Sequence, residues 1–198
     1  MNVVIVDNGG GNVASIQYAL ERLGQSSVLS TCARQIRAAD RVILPGVGAA
    51  IDAMARLRNH ELNALLPRLT QPVLGICLGM QILHERSDEG AVDCLGILPG
   101  VVRRLTPPQH LPVPHMGWNR LVVTRPHPLL RGLEEAPYYY FVHSYALEPG
   151  AATFAYADYG GAVAAVVSVD NFHGVQFHPE RSAAAGARLL ANFLSKDL

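Results

Sequence analysis

The first half of the chain alternates between two patterns of apolar and polar positions, one typical of buried strands and the other typical of helices. Three short apolar runs predict buried strands, at residues 2–6, 41–44 and 73–76. Apolar residues at helical spacing follow each run and predict helices over residues 13–23 and 50–69, with a third helix that begins near Gly79. Strands that alternate with helices pair in parallel through right-handed crossovers. The first half therefore predicts a parallel sheet flanked by helices.

The second half of the chain predicts mainly strands separated by short turns. These strands cover residues 101–105, 121–124, 138–145, 153–157, 162–169 and 174–177. Consecutive strands without helices between them favour antiparallel additions to the sheet. A final helix follows Ser182, which we expect to cap its N-terminus, as Asn12 would cap the first helix. The predicted fold class is α/β, with residues 1–198 forming a single domain: a central, mostly parallel sheet flanked by helices, plus antiparallel strands in the second half.

Composition and charge exclude several classes of function. The chain has 198 residues, of which 49% are hydrophobic, and Lys plus Arg equal Asp plus Glu at 16 each, so the net charge is zero with His neutral. No basic field is available for nucleic acid or an anionic membrane. Three cysteines do not make a disulfide framework and favour a reducing compartment. The N-terminal apolar run is too short for a signal peptide or a spanning helix, so we expect a cytoplasmic protein.

The segment Gly75-Ile76-Cys77-Leu78-Gly79 has the form of a nucleophile elbow, with Cys in place of Ser. It lies where a predicted strand ends and a predicted helix begins. A nucleophile on such a turn projects alone into solvent, and unpaired N–H groups at the helix N-terminus stabilise a thiolate. The backbone N–H of Leu78 can also bind an oxyanion. A lone cysteine is more often a buried small apolar residue, but the elbow favours Cys77 as a nucleophile.

A thiol nucleophile needs a base, and the base needs a third group that holds its tautomer. The run His178-Pro179-Glu180 follows a predicted strand, and open α/β sheets place their sites at strand ends. Pro179 favours an extended His178, and in an extended chain positions i and i+2 point the same way. We therefore expect Glu180 to accept the ring N–H of His178. Alone, the motif is also typical of a surface turn, and His173 with His178 could bind a metal, although no further ligands have recognisable spacing.

The tetrapeptide Pro45-Gly46-Val47-Gly48 also follows a predicted buried strand. Its two glycines permit positive φ and let a peptide plane reorient cheaply. We expect this loop to present a backbone N–H, that of Val47, to a tetrahedral intermediate. The alternative is a plain turn that ends the strand, which the tetrapeptide alone does not exclude.

The elbow, the His-Pro-Glu run and the glycine loop resemble the triad type of class I glutamine amidotransferase. The resemblance extends over essentially the whole chain. Three further segments are similar to the glutaminase subunits of imidazole glycerol phosphate synthases, which belong to histidine biosynthesis: residues 7–12, 114–119 and 140–145. Within the family, His115-Met116-Gly117-Trp118-Asn119 is the most discriminating run.

The resemblance implies a glutaminase without cofactor or metal. Cys77 would attack the side-chain amide of glutamine, and His178 would pass the thiol proton to the leaving ammonia. Glu180 would orient His178, and water would hydrolyse the glutamyl thioester to glutamate. Val47 and Leu78 would supply the oxyanion contacts. The positions that match the family's glutamine-binding residues are Gly46, Gln81, Glu89, Ser144 and Tyr145.

The chemistry of these glutamine-binding positions is consistent with an amino-acid ligand. The resemblance and the charge of Glu89 together predict a pairing with the α-ammonium group of glutamine. Backbone N–H groups at Ser144 and Tyr145 would bind the α-carboxylate.

A partner is also implied by the resemblance. The family pairs this subunit with the (β/α)8-barrel cyclase of imidazole glycerol phosphate synthase as a heterodimer. Ammonia would pass to the barrel, where imidazole glycerol phosphate and aminoimidazole carboxamide ribonucleotide form. We expect the contact segments to be the glycine-rich loop at 9–11, residues 116–119 and the tyrosines 138–140. Arg181 stands where many relatives carry Lys, which would keep the charge of a partner salt bridge but change its geometry.

Turnover in the family is gated by the partner's nucleotide. We hypothesise that the gate in this chain is the region 46–48, because its glycines let the backbone reorient.

Three other interpretations stay open at this point. Residues 9–14 nearly spell a dinucleotide-binding fingerprint after a strand, but residues 28–32 lack the acidic residue that this fingerprint expects at the end of the second strand. A glutaminase that serves a different synthesis, such as that of anthranilate or guanylate, would carry the same triad. A subunit that kept the fold and lost turnover is the third alternative, and the presence of all three triad residues argues against it.

Overall fold

Short apolar runs form the strands of the central sheet, and the computed structural model describes residues 1–9, 12–133 and 138–198. The strands of the first half are β1 Val3–Val6, β2 Ser27–Ser30, β3 Arg41–Leu44, β4 Val73–Ile76, β5 Arg86–Ser87 and β6 Val92–Asp93. Those of the second half are β7 Val101–Arg104, β8 His115–Arg120, β9 Val122–Val123, β10 Tyr138–His143, β11 Tyr145–Ala146, β12 Thr153–Asp158, β13 Ala162–Val169 and β14 Phe172–Val175.

Helices follow most of the early strands, as the alternating pattern predicts. They are α1 Val13–Arg22, α2 Ala33–Arg37, α3 Ala50–Asn59, α4 Leu62–Leu65, α5 Leu78–Gln81 and α6 Ala183–Leu194, with 3₁₀ turns at Leu66–Arg68, Pro128–Leu130 and Pro179–Arg181. None of the helices in the described part of the chain is long and apolar enough to cross a membrane.

The described residues contain one eight-stranded sheet in the order β2-β1-β3-β4-β14-β13-β12-β9. Strands β2, β1, β3, β4 and β14 are parallel to one another. Strands β13, β12 and β9 continue the sheet in antiparallel fashion. This arrangement confirms the predicted α/β class, including the antiparallel strands of the second half.

The inner strands of this sheet, β1, β3, β4 and β14, are buried on both faces because each side packs against helices. Val4 of β1 belongs to one apolar cluster with Leu57 of α3. The next residue, Ile5, points to the opposite face and packs in a second cluster with Leu20 of α1 and Phe193 of α6. Full burial of one such side chain stabilises the fold by roughly 1.5–3 kcal/mol relative to exposure. Continuous burial of this kind explains why the strands of the first half are recognisable as unbroken apolar runs.

Two small sheets lie beside the central one. Strands β10 and β8 form an antiparallel pair, and the other small sheet has the order β11-β7-β5-β6. The chain leaves the first and enters the second at Ser144, between β10 and β11. Strand β10 is tied to the segment that follows β14, because Tyr140 accepts the backbone N–H of His178 at 2.9 Å and donates its own N–H to Ser182 Oγ at 2.9 Å.

Several predicted boundaries are wrong. The single helix expected over 50–69 is interrupted after Asn59, because Glu61 has a left-handed φ of 57° that no α-helix continues through. The strand expected at 138–145 is interrupted at Ser144, the one expected at 121–124 is only Val122–Val123, and the one expected at 174–177 is Phe172–Val175.

Neither expected helix cap forms. Asn12 and Ser182 occupy the N-cap positions of α1 and α6, but their side chains make no capping hydrogen bond. Both side chains bond instead to groups around the residues 178–180. Their polar groups therefore support the predicted site rather than the helix ends.

Candidate active site

Four neighbouring parallel strands deliver their carboxyl ends to one edge of the central sheet. These strands are β1, β3, β4 and β14, adjacent in that order. The segments that leave them carry Asn12, the loop 45–48, Cys77 and His178, respectively. Parallel strands must place their carboxyl ends together, so residues distant in sequence meet at this edge.

The elbow after β4 has no room for side chains on its flanking positions. A Cβ on Gly79 would lie 1.8 Å from the backbone oxygen of Leu44, and a Cβ on Gly75 would lie 2.7 Å from that of Gly79. Gly46 packs equally closely, since a Cβ added there would lie 2.7 Å from Leu78 Cβ. These three glycines let strands β3 and β4 and helix α5 pack closely against one another. The close packing fixes the turn that carries the Cys77 thiol.

Cys77 occupies a strained backbone conformation at the apex of this elbow. Its φ is 53° and its ψ is −112°, a combination that is uncommon for residues other than glycine. Such strain persists only where the surroundings over-determine the conformation, and it concentrates at functional sites. The expectation that the thiol projects alone into solvent is wrong, because Cys77 is only 7% exposed.

Two polar groups that the sequence analysis did not predict contact the buried sulfur of Cys77. The Sγ atom contacts the backbone oxygen of Val142 at 3.8 Å. Gln176, fully buried, directs its Nε2 donor at Sγ from 3.7 Å. A donor aimed at sulfur favours the thiolate over the thiol.

His178 is held by Glu180, as expected, but through a turn rather than an extended segment. His178 itself is extended, with φ −102° and ψ 97°, while Pro179–Arg181 forms a 3₁₀ turn. Its Nδ1 donates to Glu180 Oε1 at 2.8 Å. The same carboxylate oxygen accepts the side-chain N–H of Asn12 at 2.6 Å. The Glu180 side chain is fully buried, so both donors act on it away from water.

The electrostatics of His178 are those of a base that keeps its proton. Burial lowers the pKa of His178, but the interactions of the ring with nearby Cys77 and Glu180 outweigh it and raise that pKa to about 10. The Nε2 atom is buried and has no hydrogen-bond partner among the described residues. With Nδ1 engaged by Glu180, Nε2 is the ring nitrogen left for the thiol and its reaction partner.

A cavity of about 370 Å³ opens at this edge of the sheet. The described residues that line it are Asn12, Val47, Gly48, Cys77, Leu78, Gln81, Glu89, Val142, His143, Ser144, Tyr145, His178 and Arg181. Most of the residues predicted from the sequence to act on glutamine therefore surround one volume. Gly46 is the exception, since it packs against Leu78 and Gly79 instead of lining the cavity.

Two of the predicted glutamine-binding side chains also have structural contacts. Glu89 Oε2 accepts the backbone N–H of Ala50 at 2.9 Å, at the first residue of α3. Gln81 donates through Nε2 to the backbone oxygen of Tyr145 at 2.8 Å and to Gln176 Oε1 at 3.0 Å. These bonds orient the Gln81 amide before any ligand arrives.

The loop 45–48 is anchored at one end and open at the other. Asn8 donates to the backbone oxygen of Pro45 at 2.6 Å. Gly48 has φ 93°, and a Cβ there would meet nothing within 4 Å. The left-handed backbone, not crowding, therefore makes glycine favourable at this position.

The metal site considered from the sequence is not assembled. His173 Nδ1 pairs with Ser168 Oγ at 2.8 Å, and His173 does not line the cavity that contains His178. Within the described ranges, no group of three or more His, Cys, Asp or Glu side chains is placed to hold an ion.

An exposed aromatic surface lies beside the cavity on β8 and β10. Its exposed members are Met116 (62%), Trp118 (53%) and Tyr138 (48%). Tyr140 packs edge-on against Trp118 at 6.2 Å, and the guanidinium of Arg181 lies 5.1 Å from the Tyr140 ring centroid. We call these five residues the aromatic face.

Part of the contact surface expected from the sequence lies elsewhere. Tyr139, between two members of the aromatic face, is fully buried, and its ring packs at a tilt of 31° against Phe177, with the centroids 4.0 Å apart. Its inclusion among the contact tyrosines is therefore wrong, since neighbouring residues of a strand point to opposite faces. Gly10 and Gly11 of the expected glycine-rich contact loop lie outside the described residues.

Sequence comparison identifies relatives along the full chain. Residues 4–196 match the model of the family "Glutamine amidotransferase class-I". The chain is 54% identical over 195 residues to the imidazole glycerol phosphate synthase subunit HisH of Xylella fastidiosa (strain Temecula1), with 98% of each chain covered. It is also 54% identical over 193 residues to the subunit of the same name from Xanthomonas campestris pv. campestris (strain 8004), covering 98% of this chain and 96% of the relative.

Solved structures share the fold at much lower identity. A crystal structure of a glutamine amidotransferase superposes with a TM-score of 0.75 at 20% identity and covers 96% of both chains. A glutamine amidotransferase from Thermotoga maritima superposes with a TM-score of 0.69 at 16% identity, covering 98% of this chain and 82% of that one. From its sequence match and its fold, the chain belongs to the class-I glutamine amidotransferase family.

Proposed function

We propose that this chain is the glutaminase subunit of an imidazole glycerol phosphate synthase, which hydrolyses glutamine and passes the ammonia to a cyclase subunit for histidine biosynthesis. The observation that carries the proposal is that Cys77 and His178 line one cavity, with Glu180 bonded to His178 from behind, in a chain 54% identical to HisH subunits. The proposal assigns residues 1–198 to one glutaminase domain. It places that domain in the cytoplasm, where a free thiol stays reduced.

The chemistry follows from the protonation state of the site. Because the pKa of His178 is raised to about 10, its imidazole takes the proton of the Cys77 thiol as a general base and keeps it while sulfur attacks. Sulfur attacks the carboxamide carbon, and the developing oxyanion takes N–H donors from Val47 and Leu78. His178 then gives its Nε2 proton to the nitrogen, and ammonia leaves. Glu180 keeps the ring oriented throughout because it accepts the Nδ1 proton at 2.8 Å.

The second half of the reaction regenerates the thiol. Neutral His178 removes a proton from water, which attacks the glutamyl thioester, and the carbon–sulfur bond breaks to give glutamate. In this proposal Glu89 pairs with the α-ammonium of glutamine, while backbone N–H groups at Ser144 and Tyr145 bind its α-carboxylate. Gln81, already oriented by Tyr145 and Gln176, borders the same cavity.

Glutamate release tests the proposed function directly. We expect little release from the chain alone, and strong stimulation by the cyclase subunit with its nucleotide ligand. No release should remain in Cys77→Ala. Release that is high without partner and indifferent to the cyclase would keep the chemistry but assign the chain to another amidotransferase. An absence of release in every mixture would overturn the proposal.

We further propose that the cyclase, a (β/α)8 barrel, docks on the aromatic face. Exposed Trp and Tyr residues around a cation are typical anchors of protein interfaces. Trp118→Ala should weaken cyclase binding by at least about tenfold, as expected for an interface anchor, measured as Kd by calorimetry. The matched control is Val28→Ala, a residue of similar exposure (48%) on edge strand β2. Equal Kd values for both variants would place the interface elsewhere.

A further inference from the structure

A pair of buried histidines joins β8 to β10 behind the aromatic face. His115 and His143 are directly paired across the two strands and are 2% and 6% exposed. His115 Nδ1 lies 3.0 Å from His143 Nε2. Two buried imidazoles in hydrogen-bond contact can share only one proton between those nitrogens, so one ring must donate and the other accept.

The neighbours of the pair decide which ring donates. Asn119 has its amide orientation fixed, because its Oδ1 accepts the Arg120 N–H at 2.7 Å while Nδ2 donates to the backbone oxygen of Asp158 at 2.8 Å. The same Nδ2 lies 3.2 Å from His115 Nε2, which must therefore accept. His115 then carries its proton on Nδ1 and donates it to His143 Nε2.

The same order of donor and acceptor continues from His143 to the residues that line the cavity. Because His143 Nε2 accepts, its proton is on Nδ1, which donates to the backbone oxygen of Tyr145 at 2.9 Å. Gln81 Nε2 donates to that same oxygen at 2.8 Å. Burial lowers the pKa of His143 to about 3, and the charges of His115 and His178 lower it too, so the ring stays neutral near pH 7.

These bonds add to the pairing of Tyr145 with Arg104 of β7 at the place where the chain changes sheets. Strand β10 ends at His143 and β11 begins at Tyr145, so Ser144 belongs to neither. Backbone at this junction is held by the Leu105 N–H, which donates to the Ser144 oxygen at 2.8 Å, and by the two side-chain donors on the Tyr145 oxygen. Without the imidazole, one of these three restraints is lost.

We propose that His143, oriented by His115 and Asn119, is a positioning residue for glutamine binding. It fixes the backbone of Ser144 and Tyr145 in the conformation that receives the α-carboxylate. This inference rests on the proposed glutaminase function, because it concerns the same cavity. His143 acts through the backbone and not on the scissile amide, so its loss raises KM more than it lowers kcat.

The kinetic test compares two replacements of the same ring. His143→Leu removes the donor, while His143→Asn keeps an N–H donor near the position of Nδ1. Measured as glutamate release with the cyclase and its nucleotide, KM should rise about tenfold in His143→Leu, the cost of one lost buried hydrogen bond. It should return to within about threefold of the wild type in His143→Asn.

A control variant separates positioning from general stability. His173→Leu removes another buried histidine, which pairs with Ser168 Oγ and does not line the cavity. Its KM should match the wild type. Alkylation of Cys77 by iodoacetamide, which needs no glutamine pocket, should proceed at similar rates in all folded variants. A KM in His143→Leu equal to that of the wild type would overturn the inference, whereas a wild type without glutamate release would overturn the proposed function instead.

A spectroscopic measurement covers the case in which His143→Leu does not fold. Long-range ¹H–¹⁵N spectra of the wild-type chain labelled at histidine should show both His115 and His143 neutral and protonated on Nδ1 at pH 7. Asn119→Leu, at a partly exposed position, removes the donor to His115 Nε2. Both tautomers of His115 and of His143 should then be populated. Protonation of His143 on Nε2 in the wild type would contradict the chain of donors.

Discussion

At the scale of single residues, the carboxylate of Glu180 shows how burial and hydrogen bonding combine. The side chain is fully buried, and Oε1 accepts from both His178 and Asn12. A buried charge of this kind costs several kcal/mol unless it is paired and bonded. Asn12 therefore does more than begin α1: with φ 73°, a conformation that Asn tolerates better than most residues, it turns its amide to the buried carboxylate.

Substitution of Asn12 should change catalysis without changing the backbone. Asn12→Gly keeps the left-handed conformation but removes the donor to Glu180, so kcat should fall by about ten- to a hundredfold, the equivalent of one hydrogen bond to a charged group. Asn12→Asp places a second carboxylate beside Glu180, and kcat should fall further because the like charges repel. Glutamate release with the liganded cyclase measures both variants.

The informative result is which of the two Asn12 variants loses more kcat. A larger loss in Asn12→Gly than in Asn12→Asp would mean that the residue acts through its size and not through the carboxylate. Gly24→Ala, at a left-handed position with no neighbour within 4 Å, shows what backbone strain alone does to activity.

At the scale of elements, the loop between β3 and α3 is held at both ends but not in its middle. Asn8 bonds the Pro45 oxygen, and Glu89 bonds the Ala50 N–H at the start of α3. Between these anchors, Val47 is 40% exposed and Gly48 has open space around it. An element fixed only at its ends can adopt two arrangements at small cost, which suits a gate for the oxyanion donor.

Gly48→Val should abolish stimulation by the liganded cyclase. A β-branched residue does not adopt the φ of 93° found at this position, so the loop must rearrange. We expect the ratio of stimulated to basal glutamate release to fall towards one, with cyclase affinity unchanged. Gly161→Val, which also has open space but no positive φ, is the control. Unchanged stimulation in Gly48→Val would show that the gate lies elsewhere.

Elements with a simple burial pattern were predictable, and those with a mixed pattern were not. Strands β1, β3 and β4 are buried on both faces and appear as unbroken apolar runs. Strand β8 has the reverse of the usual alternation: Met116 and Trp118 point outward, while His115 on the same strand is buried. A pattern with an apolar exposed face and a polar buried one gives no strand signal that binary patterning can detect.

The residues of the candidate site also divide into those that the sequence predicts and those that it does not. Cys77, His178 and Glu180 belong to short local motifs, so the sequence predicts them and the structure brings them together. Gln176 and Asn12 act on these residues from 99 and 168 positions away, and no spacing rule relates such distant positions. Their roles depend on the order of strands in the sheet, which only the tertiary structure supplies.

At the scale of the whole molecule, the proposed partner surface and the proposed catalytic cavity are two sides of one pair of strands. The aromatic face lies outward on β8 and β10, and the histidine pair lies inward on the same strands. Arg181 belongs to both regions, since it lines the cavity and stacks on Tyr140. A cyclase docked on this surface would therefore contact the strands that border the glutamine site and, at Arg181, the lining of the cavity.

Buried neutral histidines should also set the response of the whole fold to acid. Burial lowers the pKa of His84, His115 and His173 to about 4 and that of His143 to about 3, below the ordinary value of about 6.5. The unfolded chain therefore binds more protons than the folded one between about pH 6.5 and 4, so stability is complete above pH 6.5 and is lost as pH falls. His178 has the opposite effect on the pH dependence of stability, because its pKa is raised to about 10. Its contribution to stability is complete below pH 6.5 and is lost only as pH rises towards about 10.

The free energy of unfolding should consequently fall by about 7 kcal/mol between pH 7 and pH 5: roughly 2 kcal/mol for each of the four histidines, offset by about 1 kcal/mol from His178. Asp and Glu titrate mostly below this window, so urea unfolding at the two pH values isolates the histidine contribution. His173→Asn removes one titrating ring and should reduce the loss by roughly 2 kcal/mol. Equal stability at pH 7 and pH 5 would contradict the prediction, because it would require that these buried rings bind protons as readily in the folded chain as in the unfolded one.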